Sequence, residues 1–313
     1  MQKRHLGCTG LEVSAISFGA WQLGNHDAWG GMDDSTALNL VAEALDRGVN
    51  LFDTAPNYAA GRSESLLGQA LRGKRGQIVL VSKFGHQPSG EQDFSTAAFQ
   101  ASLEQSLRRL QTDYLDVLLL HNPPARFYTG QDLLWEALDR TRQQGKIRHY
   151  GASLDYAKDI ETCLSYTQSE VLEVLFNIFH QDVRRAFPLV RSKQVGLLAK
   201  VPLDSGWLAG HFNPESCFSG VRQRWSKGEI RQRAELVSAL DWLTADGSPL
   251  AQKALAYLLA YDEVSCVIPG VRNLEQLQEN LAATEAVVTV ADREWLEMFW
   301  NGFSRDGKDL LPW

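Results

Sequence analysis

The chain has 313 residues, of which 44% are hydrophobic and 22% are charged, as is usual for a globular protein. Its formal net charge is −7, and its lysines and arginines form no block along the sequence. Nucleic acids and anionic membranes are therefore excluded as expected partners, because both require a concentrated positive surface. An anionic ligand would need a local basic pocket.

The cellular compartment is indicated by what the chain lacks. The N-terminus contains no apolar run of the kind found in secretory signals, and no segment reaches the ~20 apolar residues of a membrane helix. The cysteines are widely spaced and form no Cys-x-x-Cys pair, so we expect a cytoplasmic protein with unpaired thiols and no bound metal. They are Cys8, Cys163, Cys217 and Cys266.

In chain order, the sequence begins with a short predicted β-hairpin over residues 4–17. Eight short runs follow, and each is continuously apolar rather than alternating between apolar and polar residues. Such runs are typical of parallel strands that are covered on both faces. The runs span residues 15–20, 50–53, 78–83, 115–120, 149–153, 174–178, 196–201 and 265–270.

Amphipathic segments separate these runs, as expected for helices that pack on a sheet. Residues 36–48 place Leu38, Val41 and Leu45 on one face, and residues 95–110 repeat this pattern. Eight alternations of strand and helix predict an α/β protein with a (β/α)8 TIM barrel, formed as a single domain over residues 1–313. A doubly wound open sheet is the structural alternative.

The connection after the seventh apolar run is much longer than the others. Residues 204–229 are rich in glycine, serine and tryptophan, and an amphipathic segment follows them. We therefore predict a long loop and helical insertion after strand 7, which would be either a lid over a site or a surface addition.

Four polar side chains lie at or just beyond the ends of consecutive predicted strands. Asp53 ends the second strand and Tyr58 follows in the same loop, while Lys83 and His121 end the third and fourth strands. In a (β/α)8 barrel, the carboxyl ends of the strands form the rim that carries the active site. Each residue alone is more often a capping, packing or solvated residue, but four at one rim indicate a catalytic site.

These four side chains are chemically suited to form a proton donor together with the groups that set its pKa and orient the substrate. A tyrosine phenol has an ordinary pKa of about 10, too high for an efficient donor at neutral pH. A positive charge ~4 Å away, at an effective dielectric of ~20, favours the phenolate by about 4 kcal/mol, so we expect Lys83 to lower the pKa of Tyr58. Asp53 would keep Lys83 protonated, and His121 would orient a substrate oxygen.

Several segments together resemble the aldo-keto reductases in their order and spacing. These segments read GVNLFDTAPNYAAGRSESLLGQAL, IVLVSKFG, TDYLDVLLLHNPP, GKIRHYGAS and CVIPGVRNLEQLQENLAA. The resemblance implies a (β/α)8 barrel that binds extended NADPH without a Rossmann domain, and no strand here is followed by Gly-x-Gly-x-x-Gly. It also implies that Asp53, Tyr58, Lys83 and His121 are catalytic, with Tyr58 as the general acid during hydride transfer between nicotinamide and the carbonyl of an aldehyde or ketone.

The resemblance also implies which residues bind NADP. Arg272 is expected to bind the 2′-phosphate beside a helix N-terminus, a place that favours anions. Many family members have Asn, Gln and an aromatic residue where this chain has Leu154, Glu173 and Lys200. We expect the stem of Lys200 to cover the nicotinamide ring while its ammonium reaches a phosphate. The expected cofactor-binding residues are Gly19, Ala20, Trp21, Asp53, Ser153, Lys200, Pro202, Leu203, Ser205, Gly206, Gly270, Arg272, Gln276, Glu279 and Asn280.

The substrate is expected to be a small carbonyl or alcohol, and the oligomeric state stays open. Candidates for an apolar substrate pocket are Trp29, Phe84, Phe127, Tyr128 and Trp207. Two alternatives remain open, namely an NAD(P)-dependent dehydrogenase of aldoses or alcohols and an NADPH-binding regulatory subunit with slow turnover. A metal-dependent hydrolase is disfavoured, because the seven histidines form no ligand motif.

Overall fold

The computed structural model describes residues 1–25, 30–129 and 133–312, and within them the chain forms ten strands and ten α-helices. The strands are β1 Lys3–His5, β2 Glu12–Ser14, β3 Phe18–Gly19, β4 Leu51–Asp53, β5 Val79–Phe84, β6 Leu115–His121, β7 Ile147–Leu154, β8 Val171–Leu175, β9 Gly196–Lys200 and β10 Val264–Ile268. The helices are α1 Asp34–Asp46, α2 Arg62–Ala70, α3 Thr96–Leu110, α4 Leu134–Gln143, α5 Ala157–Tyr166, α6 Phe187–Lys193, α7 Lys227–Ser238, α8 Leu250–Leu259, α9 Leu274–Ala282 and α10 Val290–Phe303.

Strands β3 to β10 form one parallel sheet in which each strand pairs with its neighbour in the sequence. Backbone hydrogen bonds join the two edge strands, from the Ser17 N–H to the Val267 carbonyl at 2.9 Å and from the Gly19 N–H to the Pro269 carbonyl at 3.0 Å. The sheet is therefore a nearly closed barrel with helices between its strands, which confirms the predicted (β/α)8 fold.

The predicted N-terminal hairpin is also present, as the antiparallel pair β1 and β2. Its side chains Leu6 and Val13 pack into the same buried cluster as the side chains inside the barrel. Gly7 lies directly on the start of β9, where an added Cβ would be 2.3 Å from the Gly196 nitrogen. The hairpin therefore covers the end of the barrel at which the strands begin.

The predicted strand limits are wrong at two runs. The run at 15–20 contains only the short strand β3, and the run at 174–178 begins as a strand earlier, at Val171. Residues 171–181 are buried throughout, so apolar character does not mark where β8 ends. The Asn177 side chain follows the strand end, where it donates to the Val201 carbonyl at 2.9 Å and accepts from the Phe179 N–H at 2.8 Å.

The insertion after β9 contains short 3-10 turns followed by α7. Its helix begins at a capping box, in which Ser226 accepts from the Glu229 N–H and Glu229 accepts from the Ser226 N–H. The predicted combination of loop and helix at this place is confirmed.

Candidate functional site

The barrel interior is filled by side chains at every second strand position. Successive residues of a strand face opposite sides of the sheet, so the residue two positions further on also faces inward. The buried apolar residues in this series include Leu51, Val81, Leu119, Val171 and Leu198. The next inward positions are Asp53, Lys83, His121, Glu173 and Lys200. The same alternation that places apolar side chains in the barrel core therefore places five polar side chains at one rim.

Lys83 and Asp53 form a buried ion pair at this rim. The Lys83 ammonium lies 2.7 Å from each carboxylate oxygen of Asp53 and donates to the Thr54 carbonyl at 3.2 Å. Only 1% of Lys83 and 4% of Asp53 is exposed, so their charges interact in a site that largely excludes water.

Tyr58 enters the site from the short 3-10 turn Tyr58–Gly61 that follows β4. Its ring centroid lies 5.3 Å from the Lys83 ammonium, and its ring meets the His121 ring edge-on at 5.9 Å between centroids. The next two residues, Ala59 and Ala60, have the left-handed φ values 49° and 52°. This strained turn holds Tyr58 against the rim, and the structure brings all four predicted catalytic side chains together.

Lys83 lowers the pKa of Tyr58 as expected, but the net shift of that pKa is upward. Burial raises the pKa of the Tyr58 phenol, and the charge of Lys83 and a hydrogen bond with it lower the pKa. The carboxylates of Asp53 and Glu173 raise it again, so the net pKa lies above the ordinary value. The prediction counted one ammonium beside the phenol and left out the burial and the second carboxylate.

Lys83 itself stays protonated, as expected. Burial lowers the pKa of Lys83, but the charges of Asp53 and Glu173 outweigh burial and raise it above its ordinary value. Burial and the charge of Glu173 likewise raise the pKa of Asp53 well above its ordinary value, against the opposing effect of Lys83. The three side chains therefore form one coupled group of charges.

Glu173 is the member of this group that the sequence assigned no catalytic role. One of its carboxylate oxygens lies 3.1 Å from the Lys83 ammonium, and the other accepts from the Ser153 hydroxyl at 3.2 Å. Its place in the alternating series of β8, two residues after Val171, is the signal that could have identified it.

His121 is enclosed by cationic and aromatic neighbours. Burial, together with the charges of Lys83, His86 and Lys200, holds the pKa of His121 well below its ordinary value. The His86 ring lies against it at 4.6 Å between centroids, and His121 Nδ1 has no hydrogen-bond partner among the described residues. A neutral imidazole in this position can donate one hydrogen bond to a ligand oxygen.

Lys200 makes contacts that differ from the expected phosphate contact. Its ammonium lies 2.7 Å from the Asn122 side-chain oxygen, 2.8 Å from the Ser153 hydroxyl and 2.8 Å from an Asp155 carboxylate oxygen. The ammonium is therefore held beside Ser153, one of the expected cofactor contacts, where it supplies a positive charge near His121.

A cleft of about 370 Å³ opens at the rim and extends to the start of α9. Four of its lining side chains carry a buried oxygen without a hydrogen-bond partner in the described part of the chain, namely Gln22, Asn57, Glu173 and Ser205. Ala20 and Ser153 are expected cofactor contacts that lie behind the lining. The expected contacts that line the cleft are Gly19, Trp21, Asp53, Lys200, Pro202, Leu203, Ser205, Gly206, Gly270, Arg272, Gln276, Glu279 and Asn280.

The end of the cleft beside α9 carries two arginines. The Arg222 side chain belongs to the insertion and donates to the Ser205 carbonyl at 2.8 Å, and both it and Arg272 line the cleft. Burial and the nearby charge of Arg272 lower the pKa of Arg222 to about 10. Two guanidinium groups that repel each other favour an anion between or beside them. Sequence reasoning missed Arg222, because no spacing rule relates a loop arginine to a distant helix.

The cleft fits an extended nicotinamide dinucleotide on these observations. Its arginine end would hold the phosphates, with Ser205 and Gly206 in left-handed conformations at φ 55° and 101° beside them. Asp204 next to these residues is fully buried and pairs with Arg233 at 2.9 Å and His180 at 3.3 Å, so it does not line the cleft.

The expected aromatic substrate pocket is not formed as predicted. Phe84, Tyr128 and Trp207 are buried in the core, and Phe127 lines a separate groove beside Phe94. Trp29 lies outside the described residues. Within the described ranges, no group of three or more potential metal ligands occurs, and no helix has the length and apolar character needed to cross a bilayer.

A parallel (β/α)8 barrel with a polar cluster and an anion-favouring cleft at its carboxyl rim defines a TIM-barrel enzyme. The sequence profile of the Aldo/keto reductase family matches residues 15–297, and the chain belongs to this family. It is accordingly an oxidoreductase that acts on carbonyl or CH–OH groups with a nicotinamide cofactor, and its resemblance to the aldo-keto reductases is confirmed.

Individual relatives cover almost the full length of the chain. The L-galactose dehydrogenase of Arabidopsis thaliana is 32% identical, over 95% of this chain and 92% of its own. The NADH-specific methylglyoxal reductase of Escherichia coli is 28% identical, over 93% of this chain and 96% of its own. The solved holo form of an aldo-keto reductase from Bacillus halodurans is 29% identical with a TM-score of 0.81, over 96% of both chains.

Proposed function

We propose that this protein is an NADPH-dependent reductase of small aldehydes or ketones, with Tyr58 as the general acid. The observation that carries the proposal is that Tyr58, Asp53 and His121 line one cleft together, with the buried Lys83 in contact with Asp53 and near Tyr58. A nicotinamide dinucleotide bound in this cleft supplies the hydride.

The protein side chains supply the proton and the orientation. Tyr58 carries its hydroxyl proton through the neutral range, and its raised pKa makes it a weaker acid than an ordinary phenol. It can still give this proton to the carbonyl oxygen, because that oxygen becomes a strongly basic alkoxide as negative charge develops on it. The protonated Lys83 stabilises the negative charge that then develops on the Tyr58 oxygen. Neutral His121 donates a hydrogen bond that orients the carbonyl oxygen.

The preference for NADPH over NADH is proposed from the arginine end of the cleft. Arg272 stands before α9, where a 2′-phosphate can meet both the guanidinium and the helix N-terminus. One relative is specific for NADH by its name, so the two cofactors have to be compared directly.

The test is turnover of a panel of aromatic, aliphatic and sugar carbonyls with NADPH, followed by the loss of NADPH absorbance. We expect Tyr58→Phe to lower kcat by about 100-fold or more, because the proton donor is removed while the ring is kept. Tyr114→Phe, at a tyrosine that packs under Arg75 outside the cleft, is the matched control and should keep full activity. Equal activity of Tyr58→Phe and the wild type would refute the proposal.

A second candidate is the oxidation of a sugar or other alcohol. It is favoured by the name of the L-galactose dehydrogenase relative and by the polar side chains Asn57, His86 and Asn122 near Tyr58 in the cleft lining. An assay with NADP⁺ and a panel of aldoses and alcohols distinguishes the two directions. Tight cofactor binding without turnover in either direction would instead favour a regulatory subunit.

A further inference from the structure

Lys83 is contacted by two carboxylates in the buried centre of the site. Asp53 approaches its ammonium at 2.7 Å with both oxygens, and Glu173 approaches it at 3.1 Å. Glu173 is 2% exposed, so its charge is poorly screened by water. With both carboxyl groups ionised, the three side chains would carry a net negative charge beside the Tyr58 phenol.

Glu173 also joins the catalytic centre to a second cation. Its other oxygen accepts from the Ser153 hydroxyl at 3.2 Å, and Ser153 in turn lies 2.8 Å from the Lys200 ammonium. The Lys200 side chain is 13% exposed and the Lys83 side chain is fully buried. Glu173 thus lies between an internal ammonium and one that reaches the cleft.

We propose that Glu173 is a positioning residue whose carboxylate shares Lys83 with Asp53 and thereby keeps the proton on Tyr58, so that the site favours proton donation up to alkaline pH. A neutral side chain of the same shape at this position would leave Lys83 with one carboxylate. The ammonium would then act more strongly on the phenol. This inference rests on the proposed role of Tyr58 as the proton donor.

The charged groups around the phenol shift the pKa of Tyr58 in opposite directions. Burial raises the pKa of Tyr58 most; among the charged groups, Lys83 lowers this pKa, and Asp53 and Glu173 raise it. The adjacent His121 is kept neutral, so the charges that act on the Tyr58 proton, in addition to the effect of burial, are those of the Asp53–Lys83–Glu173 group. The titratable groups that face this site from the surrounding strands and loops are Asp53, Tyr58, Lys83, His86, His121, Asp155, Glu173 and Lys200.

The test is the Glu173→Gln variant, read in the ligand-free protein by NMR of 13Cζ-labelled tyrosine. The Tyr58 signal is assigned from its loss in Tyr58→Phe. At about pH 11, where exposed tyrosines are ionised, we expect the ratio of phenolate to phenol at Tyr58 to rise about tenfold in Glu173→Gln, a shift of about one pH unit. Glu173→Asp, which keeps the charge, should restore most of the wild-type titration.

The matched control is Glu170→Gln, three positions earlier, just before β8, at a carboxylate that pairs with His149 and Arg142. It removes the same charge outside the Asp53–Lys83–Glu173 group and should leave the Tyr58 titration unchanged. A Tyr58 titration in Glu173→Gln that matches the wild type, in a variant with an unchanged circular dichroism spectrum, overturns the inference. So does a titration that shifts equally in Glu170→Gln.

A kinetic arm separates this inference from the proposed function. If the protein reduces carbonyls, the alkaline limb of kcat/KM in Glu173→Gln should move to lower pH by the same amount as the NMR titration. If no carbonyl is turned over, the proposed function fails, while the ligand-free NMR titration still decides the role of Glu173.

Discussion

At the scale of single residues, the site is governed by how many charges surround each group. The sequence places a lysine near a tyrosine, and a pairwise Coulomb argument then predicts a lowered phenol pKa. The structure buries the whole group and adds Glu173 at 3.1 Å from Lys83, and the net shift of the Tyr58 pKa is therefore upward. A pKa in a dry site is a sum over all neighbours and over desolvation, so it cannot be read from one pair.

The arginine end of the cleft gives a prediction for cofactor selectivity. Arg272→Gln should weaken NADPH binding by about 10-fold or more and leave NADH binding nearly unchanged, because a lost charge-assisted contact costs about 1.5–3 kcal/mol. Arg222→Gln should weaken both cofactors, because Arg222 is bonded to the Ser205 carbonyl beside the expected pyrophosphate position. Quenching of intrinsic tryptophan fluorescence by each cofactor measures the dissociation constants of both variants for NADPH and for NADH.

The control for these variants is Arg126→Gln, an arginine on the separate groove beside Phe127. It changes the net charge of the protein equally and should leave both affinities unchanged. Equal loss of NADPH and NADH affinity in Arg272→Gln would show that Arg272 does not bind the 2′-phosphate.

At the scale of elements, the sequence predicts the inward-facing residues better than it predicts strand ends. Asp53, Lys83 and His121 follow apolar residues at a spacing of two, so their shared face follows from strand geometry. Glu173 obeys the same spacing, but it precedes the predicted run at 174–178, and the family resemblance marks it as a substituted cofactor position. Arg222 could not be found this way, because its position depends on how the insertion folds back over Ser205.

The insertion is fixed to the barrel by a buried group of polar side chains. Arg233 on α7 donates to Asp204 at 2.9 Å and to the Pro312 carbonyl at 2.6 Å, and both ion-pair side chains are fully buried. Asp204 also faces His180 at 3.3 Å. This group connects the loop beside the expected phosphate site, the helix of the insertion and the C-terminal segment.

We predict that Asp204→Asn lowers the free energy of unfolding at neutral pH by about 3–5 kcal/mol, because it leaves Arg233 buried without its counter-charge. Burial raises the pKa of Asp204, but His180 and Arg233 outweigh it and hold the pKa below its ordinary value. The stabilisation by ionised Asp204 is therefore complete above the unfolded-state pKa of an aspartate, about 3.9. It is lost as the pH falls through the lower pKa that Asp204 has in the folded state.

Urea unfolding at pH 7 and at about pH 3 measures this difference. The difference in the free energy of unfolding between the wild type and Asp204→Asn should be smaller at the acidic pH. Arg47→Gln, which removes an exposed pair with Glu43 on α1, is the control and should change stability little at either pH. A gap of equal size at both pH values would show that Asp204 acts through packing and not through its charge.

At the scale of the whole molecule, the barrel has one functional end and one sealed end. The carboxyl end of the strands carries the polar group and the cleft, and the β1–β2 hairpin packs Leu6 and Val13 against the apolar interior at the other end. Arg4 ties the hairpin to the end of α8 and the start of β10 through the carbonyls of Leu259 at 2.6 Å and Val264 at 2.9 Å. The hairpin should therefore unfold together with the barrel and not before it.

Two glycines of the hairpin turn test this coupling, since both have left-handed φ values, 54° at Gly7 and 75° at Gly10. Alanine costs about 1–2 kcal/mol at either position because of the backbone conformation alone. At Gly7 the added Cβ would also lie 2.3 Å from the Gly196 nitrogen and 2.4 Å from the Gln194 carbonyl oxygen, whereas at Gly10 nothing lies within 4 Å. Gly7→Ala should therefore lower the free energy of global unfolding in urea by about 1–3 kcal/mol more than Gly10→Ala. Equal losses in the two variants would mean that the hairpin does not pack closely against β9 and that the barrel is stable without the hairpin covering its end.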